Sequence, residues 1–201
     1  MYKIGAIILA AGSSSRMGEP KLLLPYKGVP IVAYPILRAL QNDLHPIVCV
    51  TGRYDQLVRN ALQAIEQKVT IQFNAQFESG MSTSLQQGIE FMKDKVDAVV
   101  IFLGDQPLLP NEVVQTIIQQ YIATKNDGIK IIRPLYGEQI GHPILFDSSL
   151  FEAFKSIQGD EGGKSIIQQN AKFLKLIHFP NSDWGVDIDT PEDYANLMKK
   201  E

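Results

Sequence analysis

Apolar residues fall in short runs along this chain, separated by longer amphipathic stretches. Residues 3–10, 47–51, 69–73 and 98–103 are four such runs, each with the length and flanking turn residues of a strand. Helical spacing fills the gaps. Pro30 opens the first pattern, with Ile31, Tyr34, Leu37 and Leu40 on one face. The second covers about residues 55–66, with Leu57, Ala61, Leu62 and Ile65 inward. The third follows a Gly/Ser loop at 77–82 and runs to about Lys93. Strand and helix in alternation predict βαβ units, a parallel sheet and helices on both faces. The run 98–103 is apolar throughout, as a central parallel strand requires.

The second half is less regular. A helix is predicted over about 111–124. Residues 129–134 and 140–146 read as strands paired around Tyr136-Gly137. A short helix over 149–156, a glycine-rich loop at 159–164 leading into another helix, and a strand at 173–179 follow. The last helix starts with Thr190 as N-cap, Pro191 at the first helical position and Asp193 at the capping-box position. No repeat, low-complexity tract or linker interrupts the pattern, so one domain over residues 1–201 is expected.

Composition removes several classes. A net charge of −3 argues against general electrostatic binding to nucleic acid or to an anionic membrane. No apolar run reaches the roughly 18 residues of a membrane span. The early apolar stretch leads into Gly-Ser-Ser-Ser-Arg rather than a cleavage site, so a cytoplasmic location is expected. The single cysteine, Cys49, lies in an apolar run and reads as a small buried hydrophobe.

Candidate chemistry sits where ligands of such sheets bind, beyond the carboxyl ends of the strands. After the first strand comes Leu9-Ala10-Ala11-Gly12-Ser13-Ser14-Ser15-Arg16-Met17-Gly18-Glu19-Pro20-Lys21. Small residues leave backbone N–H groups free, and Arg16 and Lys21 add charge, which together make a phosphate cradle. The competing reading is a Gly/Ser turn with two solvated cations. The loop has neither the Walker ending nor the GxGxxG spacing, which weighs against an ATPase or a dehydrogenase. Gly104-Asp105-Gln106-Pro107 follows the most apolar strand, so Asp105 is the first candidate ligand for Mg²⁺, against a plain Asp turn. In Asp187-Ile188-Asp189 the two carboxylates alternate onto one side, and either offers a second contact, Asp189 ahead of Asp187. Asn74, Gly80, Ser82 and Ser84 flank the loop after the third strand, where small polar residues either cap the helix or meet base and ribose. Gly141-His142-Pro143 offers an imidazole with no partner at zinc spacing, and His45 and His178 stand near nothing suggestive. No Ser-His-Asp order or nucleophile elbow is present.

LAAGSSSRMGEPK, GDQP, GHPILF, GDEGG and DIDTPEDY, in this order over nearly the whole chain, resemble the molybdenum-cofactor cytidylyltransferase group of the molybdopterin-guanine dinucleotide synthase-like nucleotidyltransferases. The resemblance implies a Rossmann-like, GT-A-like three-layer α/β/α fold with a mostly parallel sheet, an NTP substrate and Mg²⁺. It puts the nucleotide against Leu9, Ala10, Ala11, Gly12 and Ser13, with Gly104 nearby, Arg16 and Lys21 on the triphosphate, and the metal on Asp105 and Asp189. It puts the acceptor, the molybdenum cofactor, beside Gly141, His142, Pro143, Gly162 and Lys164. Lys164 stands where relatives often carry Arg, which keeps the charge and loses a bidentate grip. Ala-Ala-Gly resembles the CTP-using members more than the GTP-using ones. A molybdenum hydroxylase or its accessory proteins would be transient partners. Rival readings are another phosphorylated acceptor, a cofactor-binding accessory protein, and an oxidoreductase.

Overall fold

The computed structural model describes residues 2–200. Its elements are β1 (Ile4–Ala10), β2 (Pro25–Tyr26), β3 (Val29–Pro30), α1 (Ala33–Gln41), β4 (Ile47–Thr51), α2 (Asp55–Leu62), β5 (Thr70–Phe73), α3 (Met81–Met92), β6 (Ala98–Leu103), α4 (Asn111–Thr124), β7 (Ile131–Tyr136), β8 (Gln139–Ile140), β9 (Ile144–Asp147), α5 (Lys164–Gln169), β10 (Leu174–Phe179) and α6 (Pro191–Met198). The main sheet runs β10-β7-β9-β6-β1-β4-β5, with β8 alongside β7. β1 is parallel to β4 and to β6, β4 to β5, and β7 to β10, whereas β9 is antiparallel to β6 and β7. The result is the mostly parallel, three-layer arrangement that strand–helix alternation predicts.

Alternation along β1 divides the core. Ala6, Ile8 and Ala10 pack with Ile36 and Ala39 of α1, Val58 of α2 and Val113 and Ile117 of α4. Ile7 packs on the other face with Leu85 and Ile89 of α3, Phe154 and Ile166 of α5. A third cluster joins Met17, Tyr26, Ile31, Ile188 and Leu197. It ties the loop after β1 to the β2–β3 hairpin and to the segment entering α6. The capping box at Thr190 and Asp193 is present.

Several boundaries differ from the sequence pattern. Pro30 lies in β3 and α1 starts at Ala33, so Ile36 and Ala39 face the core and Leu37 and Leu40 are only half-buried. α2 ends at Leu62 and continues as a 3-10 segment, Gln63–Lys68. Val58 and Leu62 are the buried residues there, while Leu57 is 47% exposed and Ala61 also faces solvent. The strand expected at 140–146 divides into β8 and β9 around Gly141-His142-Pro143, and both halves pair with β7. Ser148–Ser156 is 3-10 rather than α. Cys49 is fully buried, which pushes its thiol up to about 12 and leaves it inert. No helix among the described residues is long and apolar enough to cross a membrane.

One polar network is built into the end of the sheet remote from the phosphate loop. Buried Asp147 accepts hydrogen bonds from the Tyr121 hydroxyl at 2.7 Å and the Ser149 N–H at 2.9 Å, with Lys125 Nζ at 3.3 Å. Burial acts to raise its carboxyl pKa, but the Tyr121 and Ser149 hydrogen bonds and the Lys125 charge outweigh it and hold the carboxyl below 3.8. A group ionised more readily folded than unfolded stabilises the fold above the unfolded pKa and loses that effect as pH falls. Asp147→Asn therefore lowers stability by about 1–3 kcal/mol at pH 7 in urea unfolding. The gap to the wild type narrows as the pH drops below 3.8.

Candidate active site

The loop after β1 is shaped by local bonds and one apolar anchor. Ser14 and Gly18 have positive φ, and the N–H groups of Met17 and Gly18 both donate to the Ser14 carbonyl. Met17 points inward, only 7% exposed, and holds the loop against Ile188 and Leu197. The chain then enters a 3-10 turn, Lys21–Leu23, whose first residue is buried. Two neighbouring strand ends set the floor. The Gly104 N–H donates to the Leu9 carbonyl at 2.9 Å, and the Ile188 N–H donates to the Asp105 carbonyl at 3.1 Å.

These ties bring distant charges together. Lys21 Nζ donates to Asp105 Oδ2 at 2.5 Å and to Asp189 Oδ1 at 2.7 Å. Arg16 reaches Asp189 Oδ2 at 2.9 Å from the open side. Burial acts to lower the Lys21 pKa, but Asp105 and then Asp189 reverse this, so its pKa lies above the ordinary lysine value and the ammonium stays charged. Asp187 faces solvent on one side, yet crowding by the cleft walls, and then the charges of Asp105 and Asp189, push it up to about 6, against a 2.9 Å hydrogen bond from Gln106 Nε2.

A cavity of about 640 Å³ opens over this cluster. Leu9, Ala11, Gly12, Ser13, Arg16 and Lys21 form one wall, and Asp105, Asp187 and Asp189 the floor. Gly80 and Ser84 form part of the opposite wall. Ala10 and Gly104 stand behind the lining. Ser82 is buried, and its N–H donates to the Gly159 carbonyl. Asn74 is buried too, donating to Thr83 Oγ1 at 2.8 Å and Ser84 Oγ at 2.9 Å, so it braces the wall from behind.

Seven further lining residues, Leu22, Arg53, Phe77, Glu78, Met81, Leu103 and Asp160, were not among the sequence candidates. Arg53 follows β4 at the sheet edge, where position alone could have pointed to it. Asp160 is placed by the Met81 N–H, which donates to its Oδ1 at 2.9 Å. Only the folded chain brings that loop to α3.

Gly141, His142, Pro143, Gly162 and Lys164 are outside the cavity lining. The first three wrap around Tyr136, whose hydroxyl donates to the His142 carbonyl at 2.7 Å. Burial, then the Arg133 charge, pushes the half-exposed His142 imidazole down to about 3, so it is neutral at pH 7. Gly162 lies in the loop between Asp160 and α5, and Lys164 is the first residue of α5.

The donor set suits a divalent cation shared with substrate phosphates. Asp105 Oδ1 is buried with no hydrogen-bond partner. Five carboxylates line the cavity against three cations, so a polyanion entering it needs added positive charge. Among the described residues no three His, Cys, Asp or Glu side chains form a closed metal-binding group.

The fold and cleft define an α/β protein with a charged cavity at the carboxyl edge of its sheet. Residues 6–173 match the MobA-like NTP transferase domain, and the chain belongs to this family of nucleotidyltransferases. It is 30% identical to the molybdenum cofactor cytidylyltransferase of Escherichia coli, over 100% of this chain and 98% of the relative. It is 28% identical to the nicotine blue oxidoreductase of Paenarthrobacter nicotinovorans, over 97% and 96%. Rv0371c of Mycobacterium tuberculosis has the same fold, with a TM-score of 0.82 at 24% identity over 98% of both chains.

Two glycines separate structural from ligand constraints. A Cβ at Gly104 would stand 2.8 Å from the Leu9 carbonyl oxygen, whereas one at Gly12 meets nothing within 4 Å. Gly104→Ala lowers stability by about 1–3 kcal/mol in thermal or urea unfolding. Gly12→Ala stays within about 0.5 kcal/mol of the wild type in the same assay.

Proposed function

We propose that this protein is one nucleotidyltransferase domain over residues 1–201 that transfers CMP from CTP to the molybdenum cofactor and releases pyrophosphate. The observation that carries the reading is the buried Lys21 ammonium set between Asp105 and Asp189 beneath the Gly/Ser loop. Support for the acceptor and the base comes from the ordered sequence motifs and from the relative bearing that name. Mg²⁺ is the proposed cation, the cytoplasm the proposed location, and a molybdenum hydroxylase or its accessory proteins the proposed transient partners.

The reaction needs no protein nucleophile. An acceptor phosphate oxygen forms a bond to the α-phosphorus as the bond to the β-phosphate oxygen breaks, and the electron pair leaves with pyrophosphate. Free N–H groups around Gly12 and Ser13 orient the triphosphate. Lys21 and Arg16 turn from their carboxylates toward the phosphates and offset the charge that builds on the leaving group. Asp105 and Asp189 would hold the cation, which when bound supplies further charge neutralisation on the phosphates. A phosphate nucleophile is already anionic at pH 7, so the reaction does not require a general base. On this reading Gly80 and Ser84, which line the cavity, would face the base and ribose.

Purified protein with Mg²⁺, CTP and molybdenum cofactor is expected to release pyrophosphate, and CTP is expected to raise the melting temperature more than GTP, ATP or UTP. Asp105→Ala should cut turnover by at least about a hundredfold while the protein stays folded. Absence of pyrophosphate release from CTP with this acceptor sinks the substrate assignment. Because one relative is named an oxidoreductase, consumption of reduced nicotinamide is measured alongside, and its appearance without pyrophosphate would favour that rival.

A further inference from the structure

Arg133 is a half-buried arginine in the interior of a strand, and it has no carboxylate partner among the described residues. Burial pulls its pKa below the ordinary arginine value, so the charge is held at a cost. Its Nε donates to the Gly141 carbonyl at 3.1 Å. No other hydrogen bond involves the guanidinium among the described residues, and its remaining nitrogens are not sealed from solvent. With Nε occupied, the two terminal nitrogens form an end-on fork, the geometry that takes two oxygens of one oxyanion. Beside it is the neutral ring of His142, which makes no hydrogen bond among the described residues and has one N–H to donate.

The topology places this pair next to the nucleotide cleft. Arg133 is two residues along β7 from Ile131, so both point to the sheet face that carries α3 and α5. The cavity lies on that same face, where Leu9, Met81 and Ser84 line it. β9 begins at Ile144, paired with Ile101 of β6, so Gly141–Pro143 leaves the sheet at the edge where Asp105 does. β7 is two strands from β6, a lateral offset of roughly 10 Å. The Gly159–Gly163 loop covers the same face, since Gly163 packs near Phe146 and Phe154.

We propose that the Arg133 fork and the His142 ring form an oxyanion subsite that holds a second anionic group of the acceptor, two strands across the sheet from the β6 end that carries Asp105. The proposal rests on the nucleotidyl-transfer reading for its acceptor, but the anion site itself can be tested without it. An anion there pairs a half-buried charge that has no carboxylate partner among the described residues, and it fixes the far end of the acceptor while the near end reacts. The ligand is recognised as an oxyanion, so a free phosphate and an acceptor-borne group share the chemistry, and two arms separate them.

In the first arm, ring resonances of the three histidines are followed while inorganic phosphate is added to the full-length protein. His142→Gln assigns the signal, and His45 and His178 serve as internal controls. A saturable shift confined to His142, absent in Arg133→Met, is expected. No saturable shift at His142, or an equal shift in Arg133→Met, overturns the site. In the second arm, Arg133→Met raises the KM for the acceptor about tenfold or more and leaves the KM for CTP within about twofold. An unchanged acceptor KM, or equal losses for both substrates, removes the acceptor from the site, and a shift in the first arm then reports a free-anion site. If Arg133→Met does not fold, Arg133→Lys keeps the charge without the fork and is expected to fall between the two in both arms. If the wild type transfers nucleotide to no acceptor, the functional reading fails, while the phosphate titration still decides the site.

Discussion

Everything at the carboxyl edge of this sheet depends on one buried ammonium. Lys21 bonds Asp105, 84 residues away in sequence, and Asp189, 168 residues away. Removing a lysine from water is costly unless its charge is matched. Two carboxylates supply that match only if three separate segments converge. The phosphate loop is brought in by β1 and Met17, Asp105 by β6, and Asp189 by the chain entering α6. The Ile188 N–H to Asp105 carbonyl bond and the packing of Ile188 and Leu197 on Met17 hold the convergence in place. The C-terminal helix, which touches the main sheet little, therefore belongs to the site through electrostatics as much as through packing.

The same arrangement poises the site for exchange. Without a ligand, Lys21 and Arg16 are neutralised internally and the carboxylates are kept from repelling one another. A triphosphate offers the cations a denser set of oxygens and leaves the carboxylates in need of a new positive partner. The elevated Asp187 pKa and the orphaned Asp105 oxygen show how incomplete the internal neutralisation is. On the proposed reading, nucleotide and divalent cation would be coupled by charge, each relieving the imbalance the other creates.

Much of this was legible in the chain because local rules and global fold agree. The strands β1, β4 and β6 are buried runs whose ends carry the loop, Gly52 and Gly104-Asp105, and strand–helix alternation fixes which ends face the ligand. The capping box at Thr190 needs only sequence neighbours. The register of α1 was not legible, because Pro30 is suited to a helix start but sits in a hairpin turned by Lys27 and Gly28, both at positive φ. α2 misled because its core stripe is carried by Val58 and Leu62, so Leu57 and Ala61, one position earlier on the helix, face solvent, and Ile65 lies in the 3-10 segment that follows. Asp160 and Phe77 could not be found, since their place in the cavity comes from contacts between the loop before α5 and the start of α3. Asn74 has the residue type of a ligand contact, but the fold uses its side-chain amide internally, and Ser82 is buried.

The position of the Gly141-His142-Pro143 segment follows from the one strand that breaks the parallel pattern. β9 runs antiparallel between β6 and β7, so its start, not its end, lies at the ligand edge. A parallel strand there would deliver one loop to that edge. The antiparallel one lets a single β7–β9 connection, with β8 folded onto β7, line the rim beside the nucleotide cleft. A transferase must hold two anions against each other, and placing both on the Lys21 cluster would concentrate their repulsion. On the proposed reading, spreading cationic groups along the edge, Lys21 and Arg16 for one substrate and Arg133 two strands away, would let the fold bind an elongated acceptor at its far end. The acceptor's phosphate would then be brought to the nucleotide by geometry rather than by further charge.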